Sequence, residues 1–324
     1  MAKKSKKLNN PKGFLNSLFP GLILFLSVIA YLFQSYQLGH LILVFPLDLI
    51  LVGHFGVMLF FQQIYLYMVK KDEKSNGKQN KKSGMNKKPL IKSAKDFTMH
   101  QEGGRKALHL LGFLLIPPYF GMGLFYYNIL RVILNFINAP PMNINSYYIP
   151  QTIALLGILT AFIFVMVPEI YRMFEHKYCM LQRFMKILRK DEMYSIGPHI
   201  NMIVGMIIPI ILIPEPFMAV GTLFSGIMAD GIASVMGKKY GKHIFNKKNN
   251  KTIEGLLAAT ATSFLTSFIF YIFNYPLWQC ILFSSICCII FAIIDYLSLP
   301  LSDNILIPVI TGFLIILTYN ILIL

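Results

Sequence analysis

Hydrophobic positions along this chain fall in long, nearly unbroken runs, not in the alternation of a half-buried strand or the one-face period of a surface helix. A helix needs about 20 mostly apolar residues to cross a bilayer, and roughly nine runs approach or exceed that length. They cover residues 14–34, 41–69, 108–136, 150–170, 199–214, 216–236, 254–274, 276–294 and 305–323. Each predicts a transmembrane helix, because a helix satisfies its own backbone hydrogen bonds in lipid. The fifth run is short and carries Pro209 and Pro214, which predicts a tilted or partly re-entrant piece. The first run starts near Phe14 and lacks a small-residue cleavage site, so it is expected to remain as a span.

Composition agrees with that pattern. The 324 residues are 56% hydrophobic and 14% charged, with a mean hydropathy of +0.60, whereas ordinary soluble domains carry about 25% charge. The expected class is an all-α, polytopic helical membrane protein. A net charge of +16 could suit nucleic acid if the cations formed one folded basic surface. They lie between the hydrophobic runs instead. Threading nine spans from a cytosolic N-terminus puts 29 of the 30 basic residues on one side, Arg131 being the exception. That asymmetry is the positive-inside pattern; it predicts the cytosolic N-terminus and no nucleic-acid partner. Residues 70–97 are polar and lysine-rich without apolar periodicity, which predicts a disordered cytosolic linker. The linker divides a two-span region, 1–97, from a larger membrane domain, 98–324, where the residues discussed next predict the catalytic chemistry. Cys179, Cys280, Cys287 and Cys288 form no CxxC pair and read as small apolar fillers.

Chemistry concentrates in residues 225–255, SGIMADGIASVMGKKYGKHIFNKKNNKTIEG. An acid inside a hydrophobic segment is costly and usually functional; here it is Asp230. The lysines and glycines that follow predict a loop able to bring cations and backbone amides to phosphate. Glu169, Asp230, Glu254, Asp295 and Asp303 all fall at cytosolic span ends, where separate helices can gather them. Phosphoryl transfer needs a cation on the phosphates, basic side chains to hold them and a group to orient the attacking oxygen. Asp230, Glu254, Asp295 and Asp303 suit the catalytic acid and base roles. Asp230, Glu254 and Asp303 suit a divalent cation such as Mg²⁺. Lys238, Lys239 and Lys251 suit the phosphates. Thr252 and Glu254 also suit a helix start. Arg105 and His109, four apart on one helical face with Lys106 between them, suit a phosphate, a lipid head group or a basic interfacial collar. DGIAS begins like the DGxxAR signature of CDP-alcohol phosphotransferases, but Ser234 stands where the arginine is required and the later aspartates are missing.

ADGIASVMGKKYG followed by NKTIEG resembles the GDxxASxxGxxxG and K-T/S-x-EG elements of the CTP-dependent lipid kinases, which phosphorylate dolichol, phytol or diacylglycerol. RKALH at 105–109, PEIYRMF at 168–174 and IDYLSLPLSDNILIP at 294–308 are similar to further elements of that family, in the same order over residues 100–315. SIGPHINMIVGMIIPIILIPEP and Thr252 bring the chain nearest to the dolichol kinases. Ala229 replaces the usual glycine, and Asp295 stands where many members have glutamate. The resemblance implies a CTP-dependent kinase of the endoplasmic reticulum membrane with its site facing the cytosol. It would use Mg²⁺ to make dolichyl phosphate and CDP from dolichol, or a related polyprenol, for protein glycosylation. It implies that Asp230, Gly237, Gly241, Lys251, Thr252, Glu254 and Gly255 belong to the CTP-binding region and that Asp303 and Asn304 contribute to the same site; Lys238 and Lys239 join them as expected CTP contacts, and Arg105, Lys106, His109, Glu169, Arg172 and His199 are the expected substrate contacts. A diacylglycerol or phytol kinase shares the same machinery; a phosphatidate cytidylyltransferase would release pyrophosphate, and a transporter would carry acids at midplane.

Overall fold

The structure, a computed structural model, describes residues 11–38, 42–43, 47–76, 118–141, 146–175, 196–246 and 251–323. The described residues form helices α1 (Pro11–Leu38), α2 (Leu47–Asn76), α3 (Gly123–Phe136), α4 (Ile149–Glu175), α5 (Pro198–Leu212), α6 (Pro216–Tyr240), α7 (Ile253–Tyr271), α8 (Leu277–Leu297) and α9 (Asp303–Ile323). A two-stranded antiparallel ribbon, β1 (Ile244–Asn246) and β2 (Lys251–Thr252), joins α6 to α7. Seven of these helices, all but α3 and α5, are long and apolar enough to cross a bilayer. Large side chains such as Phe25, Phe60, Phe136 and Leu265 point outward, an arrangement that lipid tolerates and water does not. The chain is an all-α, polytopic membrane protein.

Three expectations change in detail. The run at 108–136 is not one continuous helix: at Pro118–Met122 the backbone leaves helical geometry, with Gly121 at φ 104°. Pro117 and Pro118 supply no N–H to the ladder, and glycine accepts the left-handed turn that follows. Helix α2 continues through Lys70–Asn76, so the linker does not begin at 70; lysine and glutamate are good helix formers. Residues 77–97 of that linker lie outside the described residues. The short fifth run is a central helix. At 15 residues, α5 is about 22 Å long against a hydrocarbon core of about 30 Å, and every residue from Ile200 to Ile211 is buried. It is apolar all round because α1, α4 and α9 surround it.

Close approach between α5 and α9 is achieved by reciprocal glycine–proline contacts. A Cβ on Gly205 would lie 2.8 Å from Pro308 Cγ, and one on Gly312 would lie 2.7 Å from Pro209 Cγ. At the other end of α5, Gln151 Nε2 of α4 donates to the carbonyls of Ile210 and Ile211 at 2.9 and 2.7 Å, two groups that a helix C-terminus leaves unbonded. The most extensive pairing joins α6 and α7. Gly255, Ala259, Ser263, Ser267 and Tyr271 are the buried residues of α7. They recur every fourth position, as do Gly221, Ser225, Ala229, Ala233 and Gly237 on α6. Gly237 meets Gly255 at one end and Gly221 meets the Tyr271 ring at the other, so the two stripes run antiparallel. Small residues at this spacing let membrane helices pack backbone to backbone. Tyr271 closes the stripe, its hydroxyl 2.9 Å from Thr222 Oγ1 and 3.4 Å from Cys287 Sγ. Cys280, Cys287 and Cys288 are free thiols, as expected of filler residues; Cys179 lies outside the described residues.

Successive helices from α4 to α9 alternate in direction. The C-terminal ends of α4, α6 and α8 therefore meet the N-terminal ends of α5, α7 and α9. Gly197 N bonds Glu169 Oε1 at 2.8 Å, Asn304 Nδ2 bonds the Pro198 carbonyl at 3.3 Å, and Lys251 bonds Asp295 and Asp303. The acids that the sequence puts at one face are gathered at one end of the bundle.

Candidate active site

Lys251 is the residue on which this end converges. It is the first residue of β2, paired with Asn246 across the ribbon, and Thr252 beside it caps α7 by accepting from Gly255 N at 3.3 Å. Thr252 has the extended backbone and short oxygen side chain that an N-cap needs. That cap fixes where the strand ends, and the lysine side chain runs from it to the ends of α8 and α9. Its Nζ donates to Asp295 Oδ1 at 2.8 Å, to the Asp295 carbonyl at 2.9 Å and to Asp303 Oδ2 at 3.3 Å, which uses all three ammonium protons. Burial works to lower the pKa of Lys251, but the charges of Asp303 and Asp295 and their hydrogen bonds outweigh it and hold the group above its ordinary value of 10.5. Lys251 is thus charged at neutral pH, and the stability that this cation gains from its partners is lost as pH rises through that elevated value.

Asp295 is buried, so removing its cation leaves a carboxylate in a poor dielectric. Lys251→Met is expected to destabilise the protein by about 3 kcal/mol, measured as a fall in thermal midpoint in detergent. Adding Asp295→Leu to that variant should recover most of the loss, because the pair is then replaced by apolar contact.

Asp303 also faces the other way. Between α5, α6 and α9 lies a cavity of about 20 Å³ lined by Asp230, Asp303 and Asn304 at its polar side and by Met202, Met206, Leu223, Gly226, Ile227, Ile307 and Pro308 elsewhere. Antiparallel packing of α6 on α9, with Gly226 against Ile307, sets Asp230 and Asp303 level with each other. Two carboxylates and an amide are hard oxygen chemistry that fits Mg²⁺, an ion that keeps waters or phosphate oxygens in the rest of its shell.

Other expected site residues lie elsewhere. Lys238 and Lys239 are not on a loop: α6 continues to Tyr240, and both stand in its last turn, where cations favour the helix dipole. Lys239 Nζ sits 5.0 Å from the Tyr240 ring centre. Gly237, Gly241 and Gly255 have steric reasons to be glycine. A Cβ on Gly255 would lie 2.9 Å from the Ala233 carbonyl, and one on Gly241 would collide with the Gly237 carbonyl. Glu254 is not assembled with Asp230 and Asp303 into a metal-binding trio; among the described residues no three His, Cys, Asp or Glu side chains are grouped so that they could hold a metal ion. Its carboxylate turns to His243, 2.6 Å from Nδ1 and 3.2 Å from the backbone N, because the ribbon folds His243 over the start of α7. Lys251, expected as a phosphate contact, has its donors committed to Asp295 and Asp303, and Asp295 is engaged by Lys251 through both its carbonyl and its carboxylate.

Glu169, almost fully buried, accepts from Gly197 N and holds His199 Nε2 at 4.0 Å from Oε2. These two set the start of α5, whose Pro198 carbonyl receives the Asn304 amide, so they adjoin the site through the backbone. Arg105, Lys106 and His109 lie outside the described residues, as does the side chain of Arg172. Sequence reasoning missed His243 as the partner of Glu254 and Gly226 as a cavity wall. It also missed the two small-residue stripes, which were readable as a four-residue repeat. Comparison with protein-family models, with curated proteins and with solved structures finds no match to this chain.

Proposed function

We propose that this protein is a CTP-dependent lipid kinase that phosphorylates dolichol or a related polyprenol. It has nine spans, a cytosolic N-terminus and a site on the basic, cytosolic face of the endoplasmic reticulum membrane. The observation that carries the reading is the double use of Asp303: one side of its carboxylate meets the Lys251 ammonium, and it shares with Asp230 and Asn304 a cavity whose remaining walls are apolar. A cation, two carboxylates and a lipid-like wall meet at one end of the bundle, as transfer between a soluble phosphate donor and a membrane alcohol requires. The sequence elements similar to the lipid-kinase family supply the nucleotide and the acceptor class.

In the reaction the lipid hydroxyl oxygen forms a bond to the γ-phosphorus of CTP while the bond from that phosphorus to the β,γ-bridging oxygen breaks. The products are dolichyl phosphate and CDP. Asp230 and Asp303 orient the hydroxyl and receive its proton, which passes on to solvent. Lys251 exchanges its longer bond, to Asp303, for a phosphate oxygen and stays anchored on Asp295. Asp230, Asp303 and Asn304 would hold the divalent cation, whose contribution when bound is to neutralise phosphate charge.

Purified protein, Mg²⁺ and γ-labelled CTP, presented with dolichol in vesicles, should yield labelled dolichyl phosphate and one CDP per label. Pyrophosphate release in place of CDP would move the reaction to cytidylyl transfer. No labelled lipid with any alcohol acceptor would overturn the kinase reading.

A further inference from the structure

The two ends of α8 fix where the membrane surface lies against this bundle. Trp278 in its first turn and Tyr296 in its last are 55% and 59% exposed, and a spacing of about five helical turns sets both on one outward line, about 27 Å apart. Aromatic residues with an apolar body and a polar tip collect at the two bilayer interfaces, and a hydrocarbon core is about 30 Å thick. The level of Tyr296 is therefore one membrane boundary.

Three contacts bring the end of α6 and the ribbon to that level. Lys251 Nζ meets Asp295, the neighbour of Tyr296; a Cβ on Gly241 would strike Thr252; and the Phe245 ring stacks on Tyr296 with centres 5.3 Å apart. Phe245 lies where the register of the ribbon shifts, and a bulge of this kind re-aims a side chain. Here it carries the ring onto the outward side of α8. At 25 residues, α6 is about 37 Å long, so its last turn passes beyond the hydrocarbon. That turn and the ribbon present Lys238, Lys239, Tyr240, Lys242 and Ile244, all exposed. Residues 237–252 contain no aspartate or glutamate, and the acids that reach them, Glu254 and Asp295, are engaged by His243 and Lys251. Apolar side chains at head-group depth with lysines among them suit a surface of negatively charged phosphates.

We infer that the last turn of α6 and the ribbon form a docking surface for anionic phospholipid, with Lys239 and Lys242 on the head-group phosphates and Ile244 among the upper acyl carbons. Lipid bound there holds the strand pair whose second strand begins at Lys251, and so steadies the ammonium against Asp295 and Asp303. A leaflet rich in negative charge keeps the site assembled, and a neutral one loosens it. Lipid binding stands on the geometry of the ribbon; its effect on turnover rests on the kinase reading above.

A tryptophan placed on the ribbon reads the contact without any reaction. In full-length protein carrying Ile244→Trp and Trp278→Phe, reconstituted in mixed vesicles, brominated phosphatidylglycerol should quench the emission more than brominated phosphatidylcholine at equal content. Lys242→Gln should reduce that preference about fivefold, the share of one lysine near a charged leaflet. Equal quenching by the two lipids, or a preference unchanged by Lys242→Gln, would overturn the inference. In the labelled-CTP assay, adding phosphatidylglycerol to phosphatidylcholine vesicles should raise turnover of the parent several-fold and that of Lys242→Gln much less, with the same KM for CTP in both proteins. A higher KM for CTP in Lys242→Gln, seen in phosphatidylcholine alone, would give this lysine to the nucleotide and overturn the lipid assignment. Preferential quenching with no phosphoryl transfer in any vesicle would keep the docking surface and remove the kinase reading; transfer with equal quenching would do the reverse.

Discussion

Asp230→Asn is expected to lower phosphoryl transfer to the lipid by about 10³-fold, the range in which a positioned base or charge contributes, while insertion and thermal midpoint stay close to those of the parent. The substitution keeps the size of the side chain and removes its charge and its ability to take a proton. Asp230 is the cleaner of the two cavity carboxylates to test, because Asp303→Asn also weakens the Lys251 bridge and so mixes chemistry with stability. Initial rates with γ-labelled CTP and polyprenol, beside a melting curve in the same detergent, check the outcome. A rate within tenfold of the parent would take Asp230 out of the reaction.

The second large effect is expected at Gly255. A Cβ there would meet the Ala233 carbonyl oxygen at 2.9 Å and Gly237 Cα at 3.1 Å. Both are backbone atoms, so neither can rotate away and the helices have to part. Gly255→Val should cost about 2 kcal/mol and lower turnover as well, because Lys251 is carried on the strand that leads into α7. Gly231→Ala is the matched control. Nothing lies within 4 Å of a Cβ at Gly231, and alanine is the better helix former by up to about 1 kcal/mol. Equal melting points for Gly255→Val and the parent would mean that the α6–α7 contact is not limiting for stability.

Most of the architecture was legible because hydrophobic length is a direct consequence of bilayer thickness. Each of the nine runs has a helix within or across it, and the gathering of Asp230, Asp295 and Asp303 at one end followed from alternating helix direction. The misreadings share one cause, a local signal overridden by a distant partner. Gly237 and Gly241 beside three lysines resembled a flexible loop, yet Gly237 is there to let α7 approach. Glu254 looked like a metal ligand from its place at a span end, and the ribbon brought His243 to it across 11 residues. Lys251 looked free to meet phosphate; its partners are 44 and 52 residues away, a separation that no local pattern encodes. The break before α3 has its signal in Pro118 and Gly121, which hydrophobic length alone does not register.

The antiparallel α6–α7 hairpin has a consequence for biogenesis. Its stripes pair residues close in sequence, and contacts of that kind form early, so the hairpin is able to assemble in the membrane as soon as both helices have left the ribosome. At that stage Lys251 is in place but Asp295 and Asp303 have not yet been made. The ammonium remains without its counter-charges until α8 and α9 arrive, and docking of α9 closes the cavity and completes the ion bridge in one event. Chains arrested before α9 would be inserted, partly folded and inactive, and their unneutralised lysine would distinguish them from finished molecules.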